Sequence, residues 1–352
     1  MREWEKAVRK VVPYVPGEQP KKEKMIKLNT NENPYPPAPG VVEAIQNLDV
    51  ARLRLYPDPK VEKLVHAIAE YYGLQDNQVF VGVGSDDVLA MIFMTFFNSS
   101  KPIVFPDITY SFYDVWADML RIPYEQIPLD ENFRIVPSAY KRANGGVIFP
   151  NPNAPTGELM SLSAVEEILL ANPDVIVVVD EAYIDFGGVS ALPLIDRYEN
   201  LIVVQTFSKS RSLAGSRIGF AMANPTLIKY LNDVKYSFNS YTMDTITIEA
   251  GTASIRDRGY FEETRNKIIA TREWTKKELK RLGFAFGDSK SNFIFASHEK
   301  VQAEDIMKEL REHDIYVRHF TKPSRIRNYL RISIGTDEEM KTLIDCLEQF
   351  LK

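Results

Sequence analysis

Between residues 79 and 223, short runs of valine, isoleucine and phenylalanine alternate with stretches whose apolar positions recur at helical spacing. The runs predict strands at 79–81, 103–105, 124–127, 147–149, 175–179, 201–204 and 218–221. Helical spacing falls between them, as at 86–97, 163–170 and 226–231. Near-continuous apolar runs, rather than strict alternation, indicate strands covered on both faces, as in parallel sheets. The pattern is that of one large α/β unit with a mostly parallel seven-stranded sheet.

The character changes after residue 251. A long charged helix is expected over 260–282, followed by short strands at 293–296, 316–318 and 330–334 and helices at 303–313 and 338–351. This mix predicts a smaller α+β unit. The proline-rich PYPPAPG at 34–40 reads as an ordered connection into the large unit.

The chemistry gathers at strand ends. NLIVVQTFSKSRSLAGSRIGF (200–220) runs from a buried strand into a polar turn holding Thr206, Ser208 and Lys209, with Arg217 beyond. A lysine just past the carboxyl end of an apolar strand lies where open α/β sheets bind ligands. Two hydroxyls and an arginine beside it suit a phosphate. The run VIVVVD ends in Asp180, and a carboxylate at a buried strand end is costly without a partner. A protonated ring nitrogen would supply one; capping of the following turn is the competing account. A lysine for an aldehyde, a cradle for a phosphate and a buried acid for a ring nitrogen together describe a site for pyridoxal 5'-phosphate. GVGSDD (82–87) adds a helix start at Ser85 and Asp86 whose free N–H groups would face an anion. Asp86 is acidic, so its contact is expected through the backbone.

The segment TFSKSRSLAGSRIGF resembles the lysine motif of the class I/II aminotransferases of fold type I, and within them the histidinol-phosphate aminotransferase family. LNTNENPYPP (28–37), YPDP (56–59), GVGSDD, TYSFY (109–113), NPNAPTG (151–157), DEAYIDF (180–186) and YLRISIGT (329–336) follow in that family's order and cover almost the whole chain. The resemblance implies a pyridoxal-phosphate transaminase of histidine biosynthesis, acting on small amino-acid and phosphate substrates. It implies an N-terminal arm (1–33) packed with a small C-terminal domain (256–352) beside a large cofactor domain (34–255). Lys209 would carry the cofactor and move the substrate proton. Tyr183 would hydrogen-bond the cofactor's phenolic oxygen, and Tyr110 would stack on its ring. Tyr56 would reach the phosphate in a neighbouring subunit, which implies a homodimer. Arg331 would clamp a substrate carboxylate, Arg318 would lie near a substrate phosphate, and Asn33 and Tyr35 would face substrate. One position departs: Ala154 stands where the family has an asparagine that bonds the phenolic oxygen. Either Asn153 takes over, or Tyr183 holds that oxygen with water. Related readings on the same framework are a broad aromatic aminotransferase or a threonine-phosphate decarboxylase. A pyridoxal-phosphate-binding regulator would carry a DNA-binding unit, for which no basic helix-turn-helix candidate is present.

Composition narrows the rest. A net charge of −5 offers no footprint for nucleic acid. No apolar run approaches the roughly 20 residues that span a bilayer, and MREWEKAVRKVVPYVPG has no continuous apolar core of a signal peptide. The single cysteine, Cys346, cannot form an internal disulfide and reads as a small core residue. These features point to a cytoplasmic protein without membrane partners. The four histidines show no metal-binding spacing.

Overall fold

The computed structural model describes residues 2–14, 17–22 and 24–352. Its strands, in chain order, are β1 (Ile26–Leu28), β2 (Val79–Gly82), β3 (Ile103–Pro106), β4 (Tyr124–Ile127), β5 (Val147–Pro150), β6 (Val177–Asp180), β7 (Leu201–Thr206), β8 (Gly219–Ala223), β9 (Phe284–Phe286), β10 (Phe293–His298), β11 (Ile315–His319) and β12 (Leu330–Ser333). Seven of them form one sheet in the order β2-β8-β7-β6-β5-β3-β4. Only β8 runs against its neighbours. The carboxyl ends of β2, β3, β5, β6 and β7 and the start of β8 therefore share one edge.

Alternate residues of these strands feed two separate cores. Val147, Phe149, Val177, Val179, Leu201 and Val203 pack with helices Glu62–Tyr72, Leu162–Ala171 and Thr245–Arg256. Ile148, Val178, Ile202 and Val204 pack with Ser85–Phe96, Tyr113–Leu120 and Pro225–Phe238 on the other face. Each such aliphatic side chain contributes about 1.5–3 kcal/mol on burial. Coverage of both faces is why the strands read as unbroken apolar runs.

The second sheet has the order β1-β11-β12-β10-β9. β1 joins it parallel to β11, so the N-terminal segment completes a sheet otherwise built from C-terminal strands. Neither β1 nor β9 was expected from the sequence. The long helix spans Arg258–Arg281. Within 34–40 the chain stays irregular until Pro39, which opens the helix Pro39–Gln46. Cys346 is half-buried against the small-sheet core. Among the described residues, no helix is long and apolar enough to cross a membrane.

Candidate active site

At the carboxyl edge of the large sheet, β7 ends in a turn closed by its own hydroxyls. Thr206 Oγ1 accepts the Ser208 N–H at 3.1 Å and lies 3.0 Å from Ser208 Oγ. Lys209 follows, its Nζ 3.4 Å from the Thr30 carbonyl oxygen and 5.7 Å from the centre of the Tyr183 ring. The loop is tied on both sides of this amine. Asn33 Nδ2 donates to the carbonyls of Lys209 (3.0 Å) and Ser210 (3.2 Å), and Ser210 Oγ donates to Asp185.

Beside the lysine lies a cradle for an anion. The helix Ser85–Phe96 starts after Gly84, whose φ of 88° is a left-handed conformation that favours glycine. A Cβ at Gly84 would strike the Arg217 guanidinium. Arg217 donates to Ser208 Oγ (3.4 Å) and pairs with Asp86 Oδ2 (3.1 Å). Asp86 also accepts the Tyr110 hydroxyl at 2.6 Å, so its carboxylate is engaged by protein side chains. Burial first, and then the Asp86 charge, push the Tyr110 hydroxyl well above its ordinary pKa. The Arg217–Asp86 pair is about two-fifths exposed, so its intrinsic contribution is small and it can open to a better anion.

A Cβ at Gly219 would overlap the Ser85 amide nitrogen and the Gly84 carbonyl group. Backbone on backbone cannot give way as a side-chain tip does. Gly219→Ala is therefore expected to destabilise the fold by about 3 kcal/mol, the upper end for overpacking. Denaturant midpoints of the two proteins check this.

At the opposite end sits Asp180, buried at the end of β6. It accepts the Tyr113 hydroxyl at 2.8 Å and the Ala182 N–H at 3.2 Å. Burial raises its pKa to about 6 despite these two bonds. No cationic side chain hydrogen-bonds to it among the described residues. Its neighbour Glu181 points away from the cavity and is held by Ser190, the Ala191 N–H and Gln205. Burial lifts that carboxyl to about 7.

Ser85, Asp86, Tyr110, Asp180, Tyr183, Ser208, Lys209 and Arg217 line one cavity of about 160 Å³, with Thr206 directly behind Ser208. Thr30 and Glu32 from the N-terminal segment, and Ala154, line it too. Other expected residues lie elsewhere. Asn153 is buried with its amide committed: Nδ2 donates to the Ile108 carbonyl and Thr156 Oγ1, and Oδ1 accepts from Thr109. It is not among the residues that line the cavity. Asn33 does not line the cavity but ties the lysine loop. Tyr35 packs in the small-sheet core with Lys267 Nζ 5.6 Å from its ring. Tyr56 is 82% exposed and stacks on Tyr241 at 4.7 Å. Arg331 donates to the Asn29 carbonyl at 3.0 Å, while its buried Nε has no partner among the described residues. Arg318 lines an adjoining cleft of about 850 Å³ that shares Tyr110 with the cavity.

Thr30 and Glu32 lie in the substrate-facing segment 29–35 without having been singled out, and Tyr113 and Asp185 were missed by sequence reasoning. Tyr113 had a signal, as the second tyrosine of TYSFY. Asp185 lay in view within DEAYIDF, but nothing in that motif links it to Ser210.

A profile of the family described as aminotransferase class I and II matches residues 23–347. A histidinol-phosphate aminotransferase of Clostridium acetobutylicum is 56% identical over 346 residues, 98% of each chain. One from Pseudomonas fluorescens is 54% identical over 344 residues, again 98% of each. Among solved structures, the histidinol-phosphate aminotransferase of Sinorhizobium meliloti in complex with pyridoxal-5'-phosphate is 25% identical. It superposes with a TM-score of 0.84 over 93% of this chain and 91% of that one.

Proposed function

Because the chain belongs to the class I and II aminotransferases, we propose that it moves an amino group between histidinol phosphate and 2-oxoglutarate, giving imidazole acetol phosphate and glutamate. The observation that carries this reading is one cavity joining an amine (Lys209), a buried carboxylate (Asp180) and an anion cradle (Ser85, Ser208, Arg217).

These residues fit pyridoxal 5'-phosphate. Asp180 is a buried acid whose pKa burial raises, and a protonated ring nitrogen would supply it with a counter-charge. The N-terminal amides of the helix from Ser85, with Ser208 and Arg217, would hold the phosphate. Tyr110 would face the ring and Tyr183 its phenolic oxygen. When bound, the cofactor supplies an electron sink for the pair left as a proton leaves the substrate. Lys209 Nζ would carry the covalent link in the resting protein and, once released, take the proton from the substrate Cα. The loop ties from Asn33 and Asp185 keep that amine in place without using it. Arg331 would pair a glutamate carboxylate, for which its free Nε is suited, and a planar guanidinium meets two oxygens at once. Arg318, in the adjoining cleft, would take the substrate phosphate.

The same reading extends to the assembly. Leu53, Leu55, Tyr56, Phe238 and Tyr241 are exposed apolar side chains, which supports a homodimer in which Tyr56 serves the neighbouring subunit's cavity. It also divides the chain into an arm (1–33), a large unit (34–255) and a small unit (256–352). The pairing of β1 with β11 supports that division, and a cytoplasmic location accords with it.

The test is an absorption spectrum of the cofactor-loaded protein. Histidinol phosphate alone should bleach the visible band, and 2-oxoglutarate should restore it. A band that histidinol phosphate leaves untouched, but another amino donor bleaches, would reassign the substrate.

A further inference from the structure

Behind the cavity, Asn31 engages its backbone N–H, its carbonyl and both ends of its side-chain amide in hydrogen bonds. It is 1% exposed and adopts a φ of 59°, a left-handed conformation that asparagine tolerates better than most residues. Its N–H donates to Ser333 Oγ at 3.0 Å, and Ser333 Oγ–H donates back to Asn31 Oδ1 at 2.9 Å. Its carbonyl accepts from Asn292 Nδ2 at 2.9 Å. With the serine proton given to Oδ1, the oxygen end of the Asn31 amide faces Ser333. Nδ2 is left facing Tyr183, and donates to its hydroxyl oxygen at 2.9 Å.

That direction has a consequence for the tyrosine. A hydroxyl that accepts from Asn31 has its own proton free for another acceptor, and Tyr183 lines the cavity. The ring is placed by other contacts, edge-on to Phe293 at 5.1 Å. Asn31 therefore governs where the hydroxyl proton points more than where the ring lies. The Ala154 methyl occupies the cavity wall where an amide would have been a second donor, which leaves this orientation unshared.

We infer that Asn31 is a positioning residue that, through Tyr183, aims a hydrogen-bond donor at the phenolic oxygen of the cofactor. This rests on the pyridoxal-phosphate reading above. A donor aimed at that oxygen favours its anionic form. Asn31→Asp is nearly the same shape but offers only acceptors, so Tyr183 would turn its proton back toward it. Ser333→Ala adds no charge and frees the Asn31 amide to flip, with the same effect in part.

The readout is the pH midpoint at which the bound cofactor's absorption changes. Asn31→Asp is expected to raise it by about one to two pH units, the size of one charge-assisted hydrogen bond. Ser333→Ala should raise it by less. In a Tyr183→Phe background the Asn31→Asp shift should largely vanish, which neither a structural role nor the added charge alone would produce. An unchanged midpoint in Asn31→Asp, or a shift that survives in Tyr183→Phe, overturns the inference. Should Asn31→Asp not fold, an unchanged midpoint in Ser333→Ala overturns it equally. A wild-type protein that takes up no chromophore overturns the cofactor reading itself, and this inference with it.

Discussion

Lys209→Ala is expected to lose turnover by at least about a thousandfold while keeping its fold. A positioned proton carrier is worth roughly a hundred- to ten-thousandfold, and here the same amine is also the proposed covalent anchor. The fold should survive because the loop is held by its neighbours. Asn33 binds the carbonyls of Lys209 and Ser210, and Ser210 binds Asp185. The amine itself makes only a long 3.4 Å contact with Thr30. The measurement pairs steady-state turnover with a thermal melt of the same preparation. Turnover within tenfold of wild type would remove Lys209 from the mechanism. Lost turnover together with a collapsed melt would instead mark it as structural.

Asp180→Asn is expected to act in opposite directions on activity and on stability. A buried ion pair broken from one side costs about 3–5 kcal/mol, so turnover should fall by roughly a hundred- to five-thousandfold at 1.36 kcal/mol per decade. The cofactor-free fold should gain. Burial holds the Asp180 carboxyl at about 6, above its ordinary 3.8. A raised carboxyl pKa means that the folded state binds the proton more tightly than the unfolded one. The resulting stability is fully present below the ordinary value and is lost as pH rises through 6. The difference of about two units corresponds to about 3 kcal/mol of penalty on the ionised form. Asparagine cannot ionise, and it can keep both bonds: Oδ1 for the Ala182 N–H, and Nδ2 donating to Tyr113 Oη. The variant should therefore unfold at higher denaturant than wild type at pH 8, with the gap narrowing toward pH 4. Equal midpoints at pH 8 would mean that Asp180 is not strained in the cofactor-free protein. Such a gain in stability on removing an active-site charge is the trade that functional sites commonly impose.

The part of the fold that is local in the chain was legible from residues alone. The inner strands of the large sheet announce themselves because both faces are covered, so their positions are mostly apolar, whereas the edge strand Tyr124–Ile127 carries exposed Glu125 and Gln126. The long helix Arg258–Arg281 shows through its charged spacing. Lys209, Asp180 and Arg217 were found because strand ends punctuate the pattern and leave polar groups where a parallel sheet presents them. Asn33, Tyr35 and Asn153 were placed at the site by the motifs they sit in, and the structure moves all three away from the cavity wall. In each case the side chain answers to partners that the motif does not contain. Asn153 is spent on Ile108 and Thr109, Asn33 on carbonyls more than 170 residues away, and Tyr35 on the small-sheet core.

What the chain determined by itself was the sheet, its carboxyl edge and the residue types standing there, since these follow from apolar period and the chemistry of strand ends. Only the tertiary structure decided which of those side chains face the cavity and in which direction their protons point. Asn31 illustrates the reason. Its partners Ser333 and Tyr183 lie 302 and 152 residues away, and hydrogen-bond direction is set by the distant group that is met, not by the neighbours along the chain.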